Sequence, residues 1–279
     1  MIMKKLYDPN RGQMRVVGLM SGGGSNLRKI IEHEKFLEEE SGSPYTVVAI
    51  FSDAAGSNAV AIGRDYDLPV VIRDINSFHS ARNEKKRNLL KLEEEAKRNP
   101  ELKAEYERYL GLRMKFDVEI ADAVAPFRAT VAAYAGYMSI ATQPLMQAFL
   151  GVNVHPADLS LVSGEKRKYT GDHAVRDAIL AGEKQLRSST HIIEPHVDYG
   201  GILMISQPIQ VQLPQDFDPE NKDLVNRVAE RHQNRLKESG DWIIFPRTLV
   251  YLAQGRYEQD YARNLYFDGQ YISSGVRME

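Results

Sequence analysis

Asn153-Val154-His155-Pro156 sets an amide and an imidazole on alternate residues of an apolar segment. In a strand, alternate residues face the same side, so Asn153 and His155 project together and Pro156 ends the strand just beyond them. An amide donor beside an imidazole can polarise a carbonyl, hold the oxyanion that forms on attack, and move a proton. The plainer reading of the pair is two hydrogen-bonded core residues. Asp198, in His196-Val197-Asp198-Tyr199-Gly200-Gly201, also has two readings. A carboxylate ahead of Gly-Gly is commonly a turn residue, whereas one placed against His155 would raise its basicity and fix its tautomer. The third feature is the turn Ser21, Gly22, Gly23, Gly24, Ser25 and Asn26. Its glycines let backbone N–H groups converge at the start of a helix, which suits a phosphate. It has neither the Gly-Lys-Ser/Thr ending of a P-loop nor a clean dinucleotide fingerprint, and a ligand-free tight turn is the alternative.

The other histidines divide by context. His191 lies in an apolar strand and reads as core or as the wall of a site, and His173 stands just before a helix. His33, His79 and His232 fall in charged helices and read as surface residues. No His-Glu-x-x-His or comparable ligand set occurs, so no metal is expected.

Elements at regular spacing must carry these groups. Arg15–Met20, Tyr45–Phe51 and Leu68–Ile72 read as strands, with helices over Asn26–Leu37 and Ala54–Tyr66 between them. Strands alternating with helices imply βαβ units and a parallel sheet. Ser77–Glu119 is dense in Lys, Arg, Glu and Leu and reads as two helices broken at Asn99-Pro100, with Glu93-Glu94-Glu95 and Lys97-Arg98 on a solvated face. Further strands are expected at Arg128–Tyr134, Gly151–His155, Thr190–Glu194 and Ile202–Val211, and helices at Glu220–Ser239 and Trp242–Ala253. No linker or repeat separates independent domains, so residues 1–279 are expected to form one α/β domain. It would have a phosphate-binding half over 14–125 and a catalytic half over 126–279.

Composition narrows the class. Of 279 residues, 43% are hydrophobic and 27% charged, ordinary for a globular chain, and a net charge of −2 gives no general attraction to nucleic acid or anionic membrane. There is no cysteine, which excludes disulfides, thiolate nucleophiles and thiolate metal sites. No apolar run approaches the roughly 18 residues of a spanning helix, and the first residues lack the apolar core of a signal peptide, so a cytoplasmic protein is expected.

Taken in order, these segments resemble the formyltransferase family that uses 10-formyltetrahydrofolate, in particular the branch that formylates glycinamide ribonucleotide in purine biosynthesis. Met20-Ser21-Gly22-Gly23-Gly24-Ser25-Asn26-Leu27 is similar to the family's phosphate turn, and Asn153-Val154-His155-Pro156 to its Asn-Ile-His-Pro strand. Ala135-Gly136-Tyr137-Met138-Ser139-Ile140 is similar to its folate-pocket segment, and Asp198-Tyr199-Gly200-Gly201 to its Asp-x-Gly-Gly. Ser80-Ala81-Arg82 resembles, more loosely, the place of a folate-contacting arginine. Gly171-Asp172-His173 resembles the next helix start, and Asp241–Pro246 the segment with an acidic residue for the ribose.

The resemblance implies a Rossmann-like, mostly parallel twisted sheet flanked by helices, with a helical segment inserted near 80–118. It implies Asn153, His155 and Asp198 as catalytic residues, with Asn153 and a protonated His155 on the oxyanion of a tetrahedral intermediate in direct acyl transfer. Ser21–Asn26 would hold the acceptor's phosphate, and Arg82, Tyr137, Met138, Ser139 and Ile140 the folate. His173, His191 and Asp241 would touch the ribose or wall the site. The co-substrate would be 10-formyltetrahydrofolate without a metal. Partners would be small molecules, not nucleic acid or membrane, and the protein a monomer or homodimer. His155-Pro156-Ala157-Asp158-Leu159-Ser160 and the longer loop through Gly164–Lys168 depart from the family pattern on the acceptor side. A formyltetrahydrofolate hydrolase, a formyltransferase acting on another amine such as an amino-sugar nucleotide, and a non-catalytic nucleotide-binding module are the alternatives.

Overall fold

The structure is a computed structural model that describes residues 3–278. The chain divides into two compact units, one made of Arg15–Ser25 and Val47–Leu150, the other of residues up to Met14, Asn26–Thr46 and everything from Gly151 on. The division by compactness falls after Leu150 and is discontinuous in sequence.

In the first unit the strand order is Val131–Tyr134, Met14–Met20, Tyr45–Ser52 and Val70–Ile72. Val131–Tyr134 runs parallel to Met14–Met20, with Val16 opposite Val131 and Leu19 opposite Tyr134, and Val70–Ile72 runs parallel to Tyr45–Ser52. Strands covered on both faces read as nearly continuous apolar runs, and Val16 to Met20 are all buried. The Ala59–Tyr66 helix begins later than the sequence suggests because Ala54–Asn58 forms the turn that leads into it. The charged segment forms its two helices, Leu89–Arg98 and Lys103–Val124, on either side of Asn99-Pro100, and a short helix, Ile75–Ser80, overlaps its start. Asp74 caps the short helix and Asn88 the Leu89–Arg98 helix by accepting from Ser77 N–H and Lys91 N–H, and Pro100–Leu102 turns the chain between the two longer helices. The exposed charges pair along the helices, as Lys97 with Glu93 at 2.6 Å does, each such pair contributing about 0.5 kcal/mol or less.

In the second unit Leu150–His155 pairs antiparallel with Ser189–Ile192, which pairs antiparallel with Ile202–Ile205. Val276–Arg277 adds a parallel edge. The sheet architecture is thus mixed, with parallel strands flanked by helices. Ile202–Val211 is two short strands, Ile202–Ile205 and Ile209–Gln210. Lys222–Leu236 and Trp242–Ala253 are helices joined by a five-residue π turn, Lys237–Asp241.

Two histidines expected at the surface are buried. His79 stacks on Tyr109 with centroids 5.1 Å apart, and His232 Nε2 accepts from Gln212 N–H at 2.9 Å. The charge density of a helix hides which of its faces is inward.

Candidate active site

Strand register builds the site in the second unit. His191 stands directly across from Asn153, and Ser189 across from His155. Residues opposite one another on adjacent strands share a face, and Asn153 Nδ2 lies 3.1 Å from His191 Nε2. His191 Nδ1 donates to the Ile192 carbonyl, 2.9 Å away, and Nε2 faces both the Asn153 amide and the Asp198 carboxylate. The other amide hydrogen of Asn153 has no partner among the described residues. His155 is buried, with Nε2 donating to the Tyr169 carbonyl at 3.0 Å.

Asp198 comes from the loop that follows. Its Oδ2 lies 3.5 Å from His155 Nδ1 and its Oδ1 3.4 Å from His191 Nε2, so one carboxylate faces both imidazoles. It also accepts Gly171 N–H at 2.7 Å. The residue has φ +59°, a left-handed conformation uncommon outside glycine, and the loop around it is held from two sides. A Cβ on Gly200 would stand 1.8 Å from the Ile192 carbonyl oxygen, so only glycine lets the loop close onto that strand. On the other side the hairpin Val162–Ser163/Lys166–Arg167 reaches across. The Arg167 guanidinium donates to the carbonyls of Asp198 and Gly200, and Arg167 N–H donates to the Tyr199 hydroxyl.

Burial pushes the Asp198 carboxyl up, but the His191 contact, the His155 and His191 charges and Gly171 N–H together hold it down at about 2. Burial also moves His155 below the usual histidine value, outweighing the pull of Asp198. The shifts favour an ionised carboxylate beside a neutral resting imidazole. A proton arriving on His155 Nδ1 would lie against Asp198 Oδ2. Such a constellation can take up and return a proton next to an amide donor suited to an oxyanion.

Elsewhere in this unit, Asp241 is buried. Ser188 Oγ donates to it at 2.5 Å and Asn26 Nδ2 lies 3.5 Å away. Burial raises its carboxyl to about 6. His173 is exposed at the start of the Ala174–Leu180 helix, beside a cleft of about 150 Å³ that Pro156, Arg176 and Glu230 also line.

In the first unit the Ser21 turn is arranged differently from a simple cradle. Ser21 Oγ donates to Asp53 Oδ1 at 2.6 Å and accepts Met138 N–H at 2.9 Å, so its hydroxyl is spent within the protein. Gly22 and Gly23 are exposed and a Cβ on either would meet nothing, which leaves their backbone open. Gly24 has φ +72°, and a Cβ there would stand 2.5 Å from Ile62 Cδ1. Ser25, exposed, opens the Ser25–Glu40 helix.

Asp53 was not singled out by sequence, although it follows the second strand at the sheet end where α/β proteins bind ligands. It also accepts from Ser139 Oγ, so the Ser21 turn and the 137–140 segment share one buried carboxylate. Met138 is 63% exposed, whereas Tyr137 is buried and its hydroxyl has no partner among the described residues. Ser139 and Ile140 are half-buried. Arg82 stacks 3.7 Å above the Phe78 ring and pairs with Glu119 at 3.2 Å.

Among known proteins, a family model described as formyl transferase matches residues 14–238. The chain is 22% identical over 259 residues to phosphoribosylglycinamide formyltransferase of Escherichia coli strain K12, covering 92% of this chain and 95% of that one. It is 24% identical over 243 residues to the trifunctional purine biosynthetic protein adenosine-3 of Drosophila melanogaster, which covers 86% of this chain but only 14% of the fly protein's length. The solved structure of glycinamide ribonucleotide transformylase 1 from Symbiobacterium toebii shares the fold, with a TM-score of 0.63 at 21% identity over 91% of this chain and 94% of that one. The phosphoribosylglycinamide formyltransferase of Coxiella burnetii superposes with a TM-score of 0.63 at 20% identity, over 96% of this chain and all of that one.

Proposed function

Since this chain belongs to the formyl transferase family, we propose that it moves a formyl group from 10-formyltetrahydrofolate to the amine of glycinamide ribonucleotide. The observation that carries this reading is the Asp198 carboxylate set between His155 and His191 with the Asn153 amide alongside. The acceptor follows the names of the relatives.

In this reading the amine nitrogen bonds to the formyl carbon, and the carbonyl electrons move onto oxygen. The free N–H of Asn153 donates to that oxyanion. The proton shed by the attacking nitrogen passes to His155, whose imidazolium is held by Asp198 through Nδ1 and by the Tyr169 carbonyl through Nε2. The same proton then goes to the folate nitrogen as its bond to the formyl carbon breaks. Gly22 and Gly23 present open backbone for the acceptor phosphate, and Met138 with Ile140 offers apolar surface to a flat heterocycle. Ser21 and Tyr137 act as internal supports in this scheme, and Asp241 as a buried support rather than a ribose contact.

The test is to incubate the purified protein with 10-formyltetrahydrofolate, with and without glycinamide ribonucleotide. Acceptor-dependent loss of the formyl group is expected, and His155→Ala should slow it about a hundredfold or more. Acceptor-independent hydrolysis, or full activity in His155→Ala, would refute the scheme.

A further inference from the structure

His155 faces two acceptors at once. Its Nε2 lies 3.0 Å from the Tyr169 carbonyl and its Nδ1 3.5 Å from Asp198 Oδ2, and the ring is buried. A neutral imidazole has one hydrogen to give. Asp198 by itself would draw that hydrogen to Nδ1, next to its charge. The carbonyl contact is the shorter of the two and has ordinary hydrogen-bond length. With the hydrogen on Nδ1, the buried carbonyl would face a lone pair instead of a donor, which is costly away from water. The hydrogen therefore belongs on Nε2, and Nδ1 keeps the lone pair that can take a proton.

That carbonyl is held from behind. Tyr169 is buried in one core cluster with Ala174, Val175, Ala178 and Leu186. Its hydroxyl donates to Glu183 Oε1 at 2.7 Å, just past the Ala174–Leu180 helix. Lys168 pairs with the same Glu183 oxygen at 3.2 Å. Two residues beyond Tyr169, Gly171 sits in the left-handed region at φ +76° and gives its N–H to the Asp198 oxygen that faces His155. One short stretch of backbone thus holds both members of the pair. Packing alone would keep the Tyr169 ring near the helix, but only the directional bond to the Glu183 carboxylate fixes where it sits. We propose that the Tyr169 carbonyl, and not Asp198, selects the resting tautomer of His155, and that the Tyr169 hydroxyl and Glu183 are the positioning groups that keep this carbonyl in place. The kinetic consequences rest on the acid–base role given to His155 above; the tautomer itself does not.

Nitrogen NMR of protein carrying isotope-labelled histidine distinguishes the two neutral tautomers, and His155→Ala identifies the His155 signals. At mildly alkaline pH, wild-type His155 should carry its hydrogen on Nε2. Tyr169→Phe keeps the ring and Glu183→Ala removes the acceptor, and each should give a mixture of the two tautomers. Each should also lower kcat about tenfold, the worth of one hydrogen bond in the support, with both KM values within about twofold of wild type. Glu183→Gln, which keeps an acceptor for the hydroxyl, should recover most of the loss. Hydrogen on Nδ1 in the wild type overturns the tautomer assignment whatever the variants do. An unchanged tautomer and kcat in Glu183→Ala overturns the positioning role, and this variant decides the matter if Tyr169→Phe does not fold. Wild-type protein with the Nε2 tautomer but without formyl transfer would refute the functional reading and uphold the tautomer assignment.

Discussion

At the scale of the residue, the proposed chemistry turns on where Asp198 puts its negative charge. One oxygen faces His155 and the other His191, so its ionised form stabilises a positive charge on either ring. Asp198→Asn keeps the size and removes that charge. The expected result is a kcat lowered a hundredfold or more, in line with the loss of a charged partner in an acid–base pair, with little change in either KM. Steady-state kinetics with both substrates checks it, and a kcat within threefold of wild type would count against the assigned role. Asn153 and His155 were legible as a pair because alternate residues of a strand share a face. His191 and Asp198 were legible as individual candidates, but their meeting depends on a cross-strand register and a left-handed loop residue that no local spacing encodes.

At the scale of the element, the Asp198 loop is set by two supports of different kinds. One is steric: Gly200 passes so near the Ile192 carbonyl that a methyl group has no room. The other is polar, the Arg167 clamp from the short Val162–Ser163/Lys166–Arg167 hairpin. Gly200→Ala should therefore push the loop off the strand, lowering stability by roughly 1–3 kcal/mol and kcat at least tenfold. A urea titration and an activity assay on the same sample would show it, and an active, equally stable variant would mean the loop is not held by this contact. The alternating strands and helices were readable because buried parallel strands are apolar runs of the right length. Exact ends were not: Ala54–Asn58 looks helical but turns, and a short helix capped by Asp74 precedes the two of the charged segment. Asp53 escaped notice because a lone aspartate after a strand has no distinguishing neighbour; only the fold shows Ser21 and Ser139 converging on it.

At the scale of the whole molecule, buried titrating groups make stability depend on pH, and they do not all act in one direction. Asp198, held at about 2, contributes stability that is present above its unfolded value near 4 and lost as pH falls toward 2. Asp241 has the opposite sign. Raised to about 6, it keeps a proton that the unfolded chain sheds near 4, so it lowers stability progressively as pH rises from about 4 to 6. Asp241→Asn removes that ionisation. Relative to wild type, the variant should gain on the order of 2 kcal/mol between pH 4 and pH 7.5. Urea midpoints at the two pH values measure the gain, and a pH-independent difference would contradict it. No helix among the described residues is long and apolar enough to cross a membrane.

The pairing of Asn153 with His191 has a last consequence. A slip of one residue along the Ser189–Ile192 strand would turn His191 to the opposite side of the sheet and leave Asn153 facing a different side chain. In the proposed reaction, activity therefore reports on strand alignment: a misaligned molecule can be compact and helical and still be silent in an assay. The specific activity of a preparation thus doubles as a census of correctly threaded molecules.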